Sequence, residues 1–182
     1  MSDATVTRME LALAQAAKGD ASAFASIVRE HQAMVFSLAC HFLHDRTLAE
    51  DMAQEVFLHL YQNLKTIQSS AHLKFWLRKV ASHRCIDHAR GHKPHVNIEE
   101  IPEPAGRSSE SDPLLAQRLK LLVASLPDRA RMVVILRFQE ELEYHEIAEV
   151  LEMPINTVKS NLQRALAILR TKLERCMGEV PV

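Results

Sequence analysis

Tyr144-His-Glu-Ile-Ala-Glu-Val-Leu-Glu-Met-Pro-Ile-Asn-Thr-Val-Lys-Ser-Asn-Leu-Gln-Arg-Ala165 is the stretch whose periodicity decides the fold. Tyr144, Ile147, Ala148 and Leu151 fall at i, i+3, i+4 and i+7 and make one apolar stripe on a short helix. Ile155, Val158, Leu162, Ala165 and Leu169 make a second stripe on a longer helix. Between them, residues 152–155 form a break in which Pro154 prevents one continuous helix. Asn156 has the side chain of a good N-cap for the second helix. Two short helices around a tight turn are a helix-turn-helix, whose second helix is able to enter a DNA major groove. Its outward face carries Asn156, Thr157, Lys159, Ser160, Asn161, Gln163 and Arg164, which can hydrogen-bond base edges or phosphates, and none is acidic. The same spacing also fits an ordinary αα-hairpin with a solvated polar face.

Upstream of this motif, a helix is predicted from Pro113 to about Ser125. Leu126-Pro127-Asp128 restarts the chain, with Pro127 placed at N1 and Asp128 in the first turn. Met132, Val133, Ile135 and Leu136 belong to the helix that follows. Downstream, a frayed tail is expected from about Cys176. Residues 94–112 change character: Pro94, Pro102, Pro104, Gly106 and Ser-Ser-Glu-Ser lie among Glu99, Glu100, Glu103, Glu110 and Asp112. That is the composition of an extended, flexible acidic linker, and it divides the chain into domains at 1–93 and 113–182.

The first domain opens with a short apolar helix, Met9 to Ala17, closed by Gly19. Asp20 caps a long helix in which Phe24, Ile27, Val28, His31, Val35, Leu38, Ala39 and Phe42 keep helical spacing. Asp45 and Arg46 break the pattern, and Thr47 with Glu50 has the spacing of a capping box. In the next helix Ala49, Met52, Ala53, Val56, Phe57 and Leu60 form an inner stripe. The opposite face is Asp51, Gln54, Glu55 and Leu58, an acidic, amide-bearing row with an exposed leucine. A solvated face is the usual fate of such a row, while the exposed Leu58 beside it also fits a protein-binding face that suits basic partner side chains. Residues 64–72 read as a polar loop, with Ser69 or Ser70 capping the following helix. There Leu73, Trp76, Leu77, Val80 and Ala81 face inward. Lys74, Arg78, Lys79, Arg84, Arg90 and Lys93 stand against one acid, Asp87, with Phe75 among them. A basic helix with an aromatic beside a polar loop suits a nucleic-acid backbone and unstacked bases, and also an ordinary cationic surface.

The whole chain has 182 residues, 47% of them hydrophobic, four glycines and a formal net charge of −1. These values predict an all-α globular fold of two small helical domains, with any nucleic-acid surface local rather than global. No apolar run approaches the ~18 residues of a membrane span, and the N-terminal residues show no apolar signal segment, so a cytoplasmic chain without membrane insertion is expected. Three separated cysteines fit a reducing compartment. Ten histidines raise a metal question. Cys85, His88 and His92 share one helical face, and Cys40, His41 and His44 cluster, but Cys85 continues an inner stripe. No metal or other cofactor is expected. No Gly-rich phosphate loop, placeable carboxylate pair or activated nucleophile points to an enzyme.

Three stretches also coincide in order. Asp51-Met-Ala-Gln54-Glu55-Val56-Phe57 resembles the core-binding D-x-x-Q-E-V-F motif of bacterial sigma factors. Trp76-Leu-Arg-Lys-Val-Ala81 with Asp87-His88 and Arg90 resembles their promoter-melting helix. Leu126-Pro127, Arg131, Leu136-Arg137, Glu146-Ile-Ala148, Thr157-Val-Lys159-Ser160 and Arg164-Ala165 resemble their C-terminal domain. With two domains and a short linker, the chain is similar to the extracytoplasmic-function (ECF) group. The resemblance implies that Asp51, Gln54, Glu55 and Leu58 dock on the β′ clamp helices of core RNA polymerase. It implies that Thr66, Gln68, Ser69, His72, Lys74, Phe75, Arg78, Arg84 and Arg90 hold flipped bases of the melted −10 element. Asn156, Thr157, Lys159, Ser160, Gln163 and Arg164 would read the −35 duplex. The linker would thread toward the RNA exit channel, the β subunit would be a further contact, and an anti-sigma factor is an expected partner. A helix-turn-helix regulator that does not bind polymerase is the alternative. The chain departs from the family pattern at Glu152 and Asn156, where Gly is common, at Glu143, where Ser or Thr is usual, and at His83, where Asn is. Glu at a left-handed position costs about 1 kcal/mol.

Overall fold

A computed structural model of the chain describes residues 3–91 and 113–178. Among the described residues the fold is all-α. Its helices are α1 (Asp3–Ala16), α2 (Ala21–Leu43), α3 (Arg46–Asn63), α4 (Ser70–Gly91), α5 (Pro113–Ala124), α6 (Asp128–Phe138), α7 (Tyr144–Val150) and α8 (Ile155–Gly178), with one 3₁₀ turn at Leu64–Thr66. The chain divides into two compact units, Met1–Cys85 and Ile86–Val182. Residues 94–112, read above as a linker, lie outside the described residues.

In the first unit α2 begins where Asp20 accepts hydrogen bonds from the Ser22 and Ala23 N–H groups at 2.8 and 3.1 Å, satisfying two of the free donors at a helix start. It ends at His44, whose left-handed backbone (φ 56°) lets its N–H reach the Cys40 carbonyl at 3.0 Å. That closure turns the chain back at once, and α3 packs along α2, with α1 on α2 as well. The start of α3 differs from expectation. Asp45, not Thr47, is the N-cap, accepting from the Leu48 N–H at 3.0 Å. Glu50 pairs instead with Arg46 at 2.9 Å, so the expected capping box is absent. Ala49, Met52, Val56, Phe57 and Leu60 are buried as the stripe predicts, against Ile27, Val35, Leu38, Ala39 and Phe42 of α2 in one core. The polar loop expected over 64–72 is shorter: Leu64 is buried in the 3₁₀ turn, and α4 starts at Ser70.

Along α4, Leu73, Leu77, Ala81 and Cys85 recur every fourth residue and are fully buried. Trp76 and Val80, expected inside, are only half-buried. The Trp76 ring leans on His59 of α3, centroids 5.4 Å apart. Burial pushes the Cys85 thiol up to about 12, so it is an unionised core group near neutral pH. His92 lies outside the described residues. Among those described, no three His, Cys, Asp or Glu side chains form a metal-ligating group, and no helix is long and apolar enough to cross a membrane.

In the second unit α6 and α7 both pack on α8. Pro127 sits one residue earlier than expected: it precedes the helix in an extended conformation (φ −55°, ψ 140°), and its carbonyl accepts from the Arg131 N–H at 2.8 Å. The Arg131 guanidinium donates back to the Leu126 carbonyl and to Asp128, at 3.1 and 3.2 Å, pinning the corner. The helix-turn-helix corner is a Schellman closure. Glu152 is left-handed (φ 49°) and its N–H reaches the Glu149 carbonyl, while the Met153 N–H reaches Ala148 at 3.0 Å. Glutamate thus occupies the backbone conformation that glycine takes more cheaply. Helix α8 starts at Ile155, one residue before Asn156, so Asn156 is not the N-cap. The Pro154 carbonyl serves there, accepting from Thr157 and Val158. Consequently Ile155 lies outside the core at 40% exposure, while Val158, Leu162 and Ala165 are buried. The helix runs to Gly178, past the expected fraying point.

Glu141, between α6 and α7, is also left-handed (φ 54°) and exposed. Asparagine tolerates this region better than glutamate. Replacing Glu141→Asn should therefore stabilise the chain by roughly 0.5 kcal/mol, read as a higher denaturant midpoint at unchanged slope; an unchanged or lower midpoint contradicts it.

Candidate nucleic-acid and partner interfaces

Burial of the α3 stripe leaves the opposite side of that helix outward. Asp51, Gln54, Glu55 and Leu58 are all exposed, Leu58 at 60%. Tyr61, three residues beyond Leu58, continues the row at 54% exposure. It was missed in the sequence, although the i+3 spacing from Leu58 carried the signal. Gln54 and Leu58 also form one wall of a groove of about 760 Å³ between α2 and α3, completed by Phe24, Val28, Phe36 and Tyr61 among others. Phe24 meets Tyr61 edge to face at 5.1 Å. Arg46 and Glu50 also line the groove. The outer row and this apolar groove are one continuous surface, acidic on the ridge and greasy in the trough.

The nucleic-acid candidates from Thr66 to Arg90 lie along α4 and the turn before it, all but Arg90 within the same unit. Thr66 donates through its hydroxyl to the Asn63 carbonyl at 2.8 Å. Ser69 is the cap, accepting from the His72 N–H at 3.1 Å, while His72 Nδ1 accepts from the Gln68 N–H at 3.2 Å. Three candidate side chains therefore hold the loop itself in shape. Lys74, Phe75, Arg78 and Arg84 are half-buried, so their stems pack while their polar ends stay near solvent. Arg84 donates to Glu55 of α3 at 2.7 Å. One residue assigned to nucleic acid and one assigned to a protein partner thus meet each other. Arg90 is exposed and lies 3.7 Å from Asp87.

In the second unit Asn156, Lys159, Gln163 and Arg164 are exposed along α8, while Thr157 and Ser160 are half-buried. Ser160 donates to the Thr157 carbonyl at 3.1 Å, and Arg164 donates to the Ser160 hydroxyl at 3.4 Å. Asn161 turns toward Met153 and leaves the outer row. The Lys159 ammonium lies 5.8 Å from the centre of the Tyr144 ring, with Arg137 at 5.4 Å from the same ring, a cation–π arrangement that steadies a long side chain. Arg137 also donates to Glu143 at 2.9 Å, and this bond raises its already high pKa. Glu146 closes the start of α7 by accepting from the Glu143 N–H at 2.7 Å, so Glu143 is accommodated where a hydroxyl residue is usual. The result is a cationic and amide-bearing face on a helix held from behind by α6 and α7.

Comparison with known proteins covers the stretches that carry both candidate surfaces. Family models match residues 27–94 as sigma-70 region 2 and residues 116–169 as sigma-70 region 4. The chain is 30% identical over 178 residues to the ECF RNA polymerase sigma factor SigW of Bacillus subtilis, covering 87% of this chain and 93% of that protein. It is 27% identical over 172 residues to the ECF RNA polymerase sigma-E factor of Escherichia coli, covering 86% and 90%. In fold it is similar to CnrH in complex with the cytosolic domain of CnrY (TM-score 0.67, 22% identity, 92% of this chain and 98% of the other). It is also similar to the sigma factor RpoE in complex with the anti-sigma factor NepR from Bartonella quintana (TM-score 0.64, 18% identity, 87% and 98%).

His31 on α2 sits behind the basic face. Its Nε2 is buried with no hydrogen-bond partner among the described residues. Burial lowers its pKa, Glu30 opposes, and Lys74 and Arg78 lower it further. With the folded value below the unfolded one, about 6.5, the unfolded chain takes up the proton first as pH falls. Stability is then fully present above about pH 6.5 and drains below it. Thermal melts between about pH 8 and pH 5 should show a steeper acid-side decline for wild type than for His31→Gln; parallel declines would count against this role.

Proposed function

The chain belongs to the ECF sigma factors of the sigma-70 family, and we propose how its two units divide the work of an RNA polymerase sigma factor. The observation that carries the proposal is the α3 surface, an acidic row continuous with an apolar groove on a unit whose core does not need either. In this reading Asp51, Gln54, Glu55 and Leu58 dock on the β′ clamp helices of core polymerase. Acidic side chains set orientation against basic partner residues, and Leu58, Tyr61 and the groove bury apolar area. The match over residues 27–94 disfavours a plain helix-turn-helix regulator, which would have no use for this surface. An anti-sigma factor acts by covering the same face, which supplies apolar contact and charge to whichever protein reaches it first.

The domains of this proposal are residues 1–93 and 113–182, with 94–112 as the connection. Residues of the turn and α4, namely Thr66, Gln68, Ser69, His72, Lys74, Phe75, Arg78, Arg84 and Arg90, hold the separated strand of the −10 element. Cations neutralise the phosphates, and Phe75 with the loop offers surface to an unstacked base. Asn156, Thr157, Lys159, Ser160, Gln163 and Arg164 read the −35 duplex through the major groove. The chain performs no catalysis of its own. It acts in the cytoplasm by carrying polymerase to a promoter and stabilising the opened strands. Its binding free energy, spent on the melted state, shifts the duplex toward opening.

Two experiments test this. Asp51→Ala with Leu58→Ala should leave helical content unchanged and weaken core polymerase at least about tenfold, the scale of losing a buried charged contact; equal titration curves, or no binding by wild type, would sink the docking surface. Lys159→Ala with Arg164→Ala should cut promoter-directed transcription without lowering the melting temperature. A lost phosphate contact flattens the salt slope by about one unit, and a lost base contact costs ~1–3 kcal/mol and relaxes sequence preference. Full transcription by that variant would remove α8 from the −35 assignment.

A further inference from the structure

We infer that Glu10 of α1 is a positioning residue for the loop that holds the −10 strand. The inference rests on the division of labour given under Proposed function. One carboxylate oxygen of Glu10, Oε1, accepts from both the N–H and the hydroxyl of Ser70, each at 3.0 Å and across sixty residues of chain. Ser70 is the first residue of α4. Its N–H is one of the donors that a helix start leaves without an intrahelical partner, and an anion is favoured at that end of the helix dipole.

The other bonds recorded in this segment are local. Ile67 donates to Leu64, Thr66 to Asn63, Gln68 to His72 and His72 to Ser69. Buried Leu64 and Leu73 anchor the two ends of the segment, and these local bonds give it a shape but do not tie its middle to another helix. Glu10 does so from a rigid base, because Met9, Leu13 and Ala16 of the same helix are buried and α1 packs on α2. The region 2 match begins only at residue 27, so α1 lies upstream of it. A loop already held in one conformation loses less freedom when a strand binds. Without its tether, residues 67–72 open locally more often, and each opening removes the surface that an unstacked base needs.

The test compares Glu10→Ala, which removes the acceptor, with Glu10→Gln, which keeps an acceptor oxygen and removes the charge. Full-length chains are assembled with core polymerase on a promoter fragment selected from random sequence by the wild-type holoenzyme. Amide hydrogen exchange of residues 67–73 is measured on the free chains. Glu10→Ala should speed that exchange and reduce open-complex formation about three- to tenfold, the scale of one or two hydrogen bonds. Core affinity and binding to a duplex carrying only the −35 element should stay within about twofold. A fragment already melted at −10 should restore most of the loss in opening rate but not the strand affinity. Glu10→Gln should remain near wild type. Promoter opening by Glu10→Ala equal to wild type overturns the proposal, as does a Gln variant as defective as the Ala variant. Improved opening by Glu10→Gln would assign Glu10 to charge repulsion and also overturn it. A wild-type chain that opens no promoter sinks the sigma-factor division of labour itself, and this proposal with it.

Discussion

A helix in a small domain buries one face, and that limit shapes everything on the surface of the first unit. Ala49, Val56 and Leu60 are fully buried and Met52 and Phe57 nearly so. Each large apolar side chain taken from water contributes about 1.5–3 kcal/mol, far more than any polar pair on the outside. The inner stripe therefore sets the rotation of α3 about its axis. Once it is set, Asp51, Gln54, Glu55 and Leu58 have nowhere to go but outward. The outward row is a consequence of the core. It can be changed without loss of fold because the core does not use it.

The same limit explains how the second unit tolerates glutamate at its corner. Glu152 takes a left-handed backbone at a cost of about 1 kcal/mol. The flanking Leu151 and Met153 are buried, and the Schellman bonds close only with that backbone. Burial on both sides outweighs the strain at the middle residue. The corner keeps its shape, and α8 leaves Gln163 and Arg164 exposed, with Lys159 exposed beside the Tyr144 ring of α7.

The Arg84–Glu55 pair ties the two candidate surfaces of the first unit together. Both side chains are substantially exposed, and exposed pairs contribute about 0–1 kcal/mol. The bond is too weak to lock either residue against a polymerase or a nucleic acid. It nonetheless holds the two side chains 2.7 Å apart, across the boundary between α3 and α4.

Much of this was legible in sequence because it is periodic. The stripes of α3, α7 and α8, the composition change at 94–112 and the order of the three motifs are properties of the chain itself, since 3.6-residue spacing determines which residues share a face. Helix starts were less legible. Asp45 displaced Thr47 as a cap, Pro127 stood just outside its helix, and α8 began at Ile155, which left that side chain in solvent. Each outcome depends on how closely neighbouring helices approach, and several residues could have capped each end. Contacts between elements were not legible at all. Glu10 meeting Ser70, Arg84 meeting Glu55, Lys159 resting over Tyr144 and the groove between α2 and α3 join positions with no fixed spacing along the chain. Only packing, which fixes distance and direction together, brings them within bonding range.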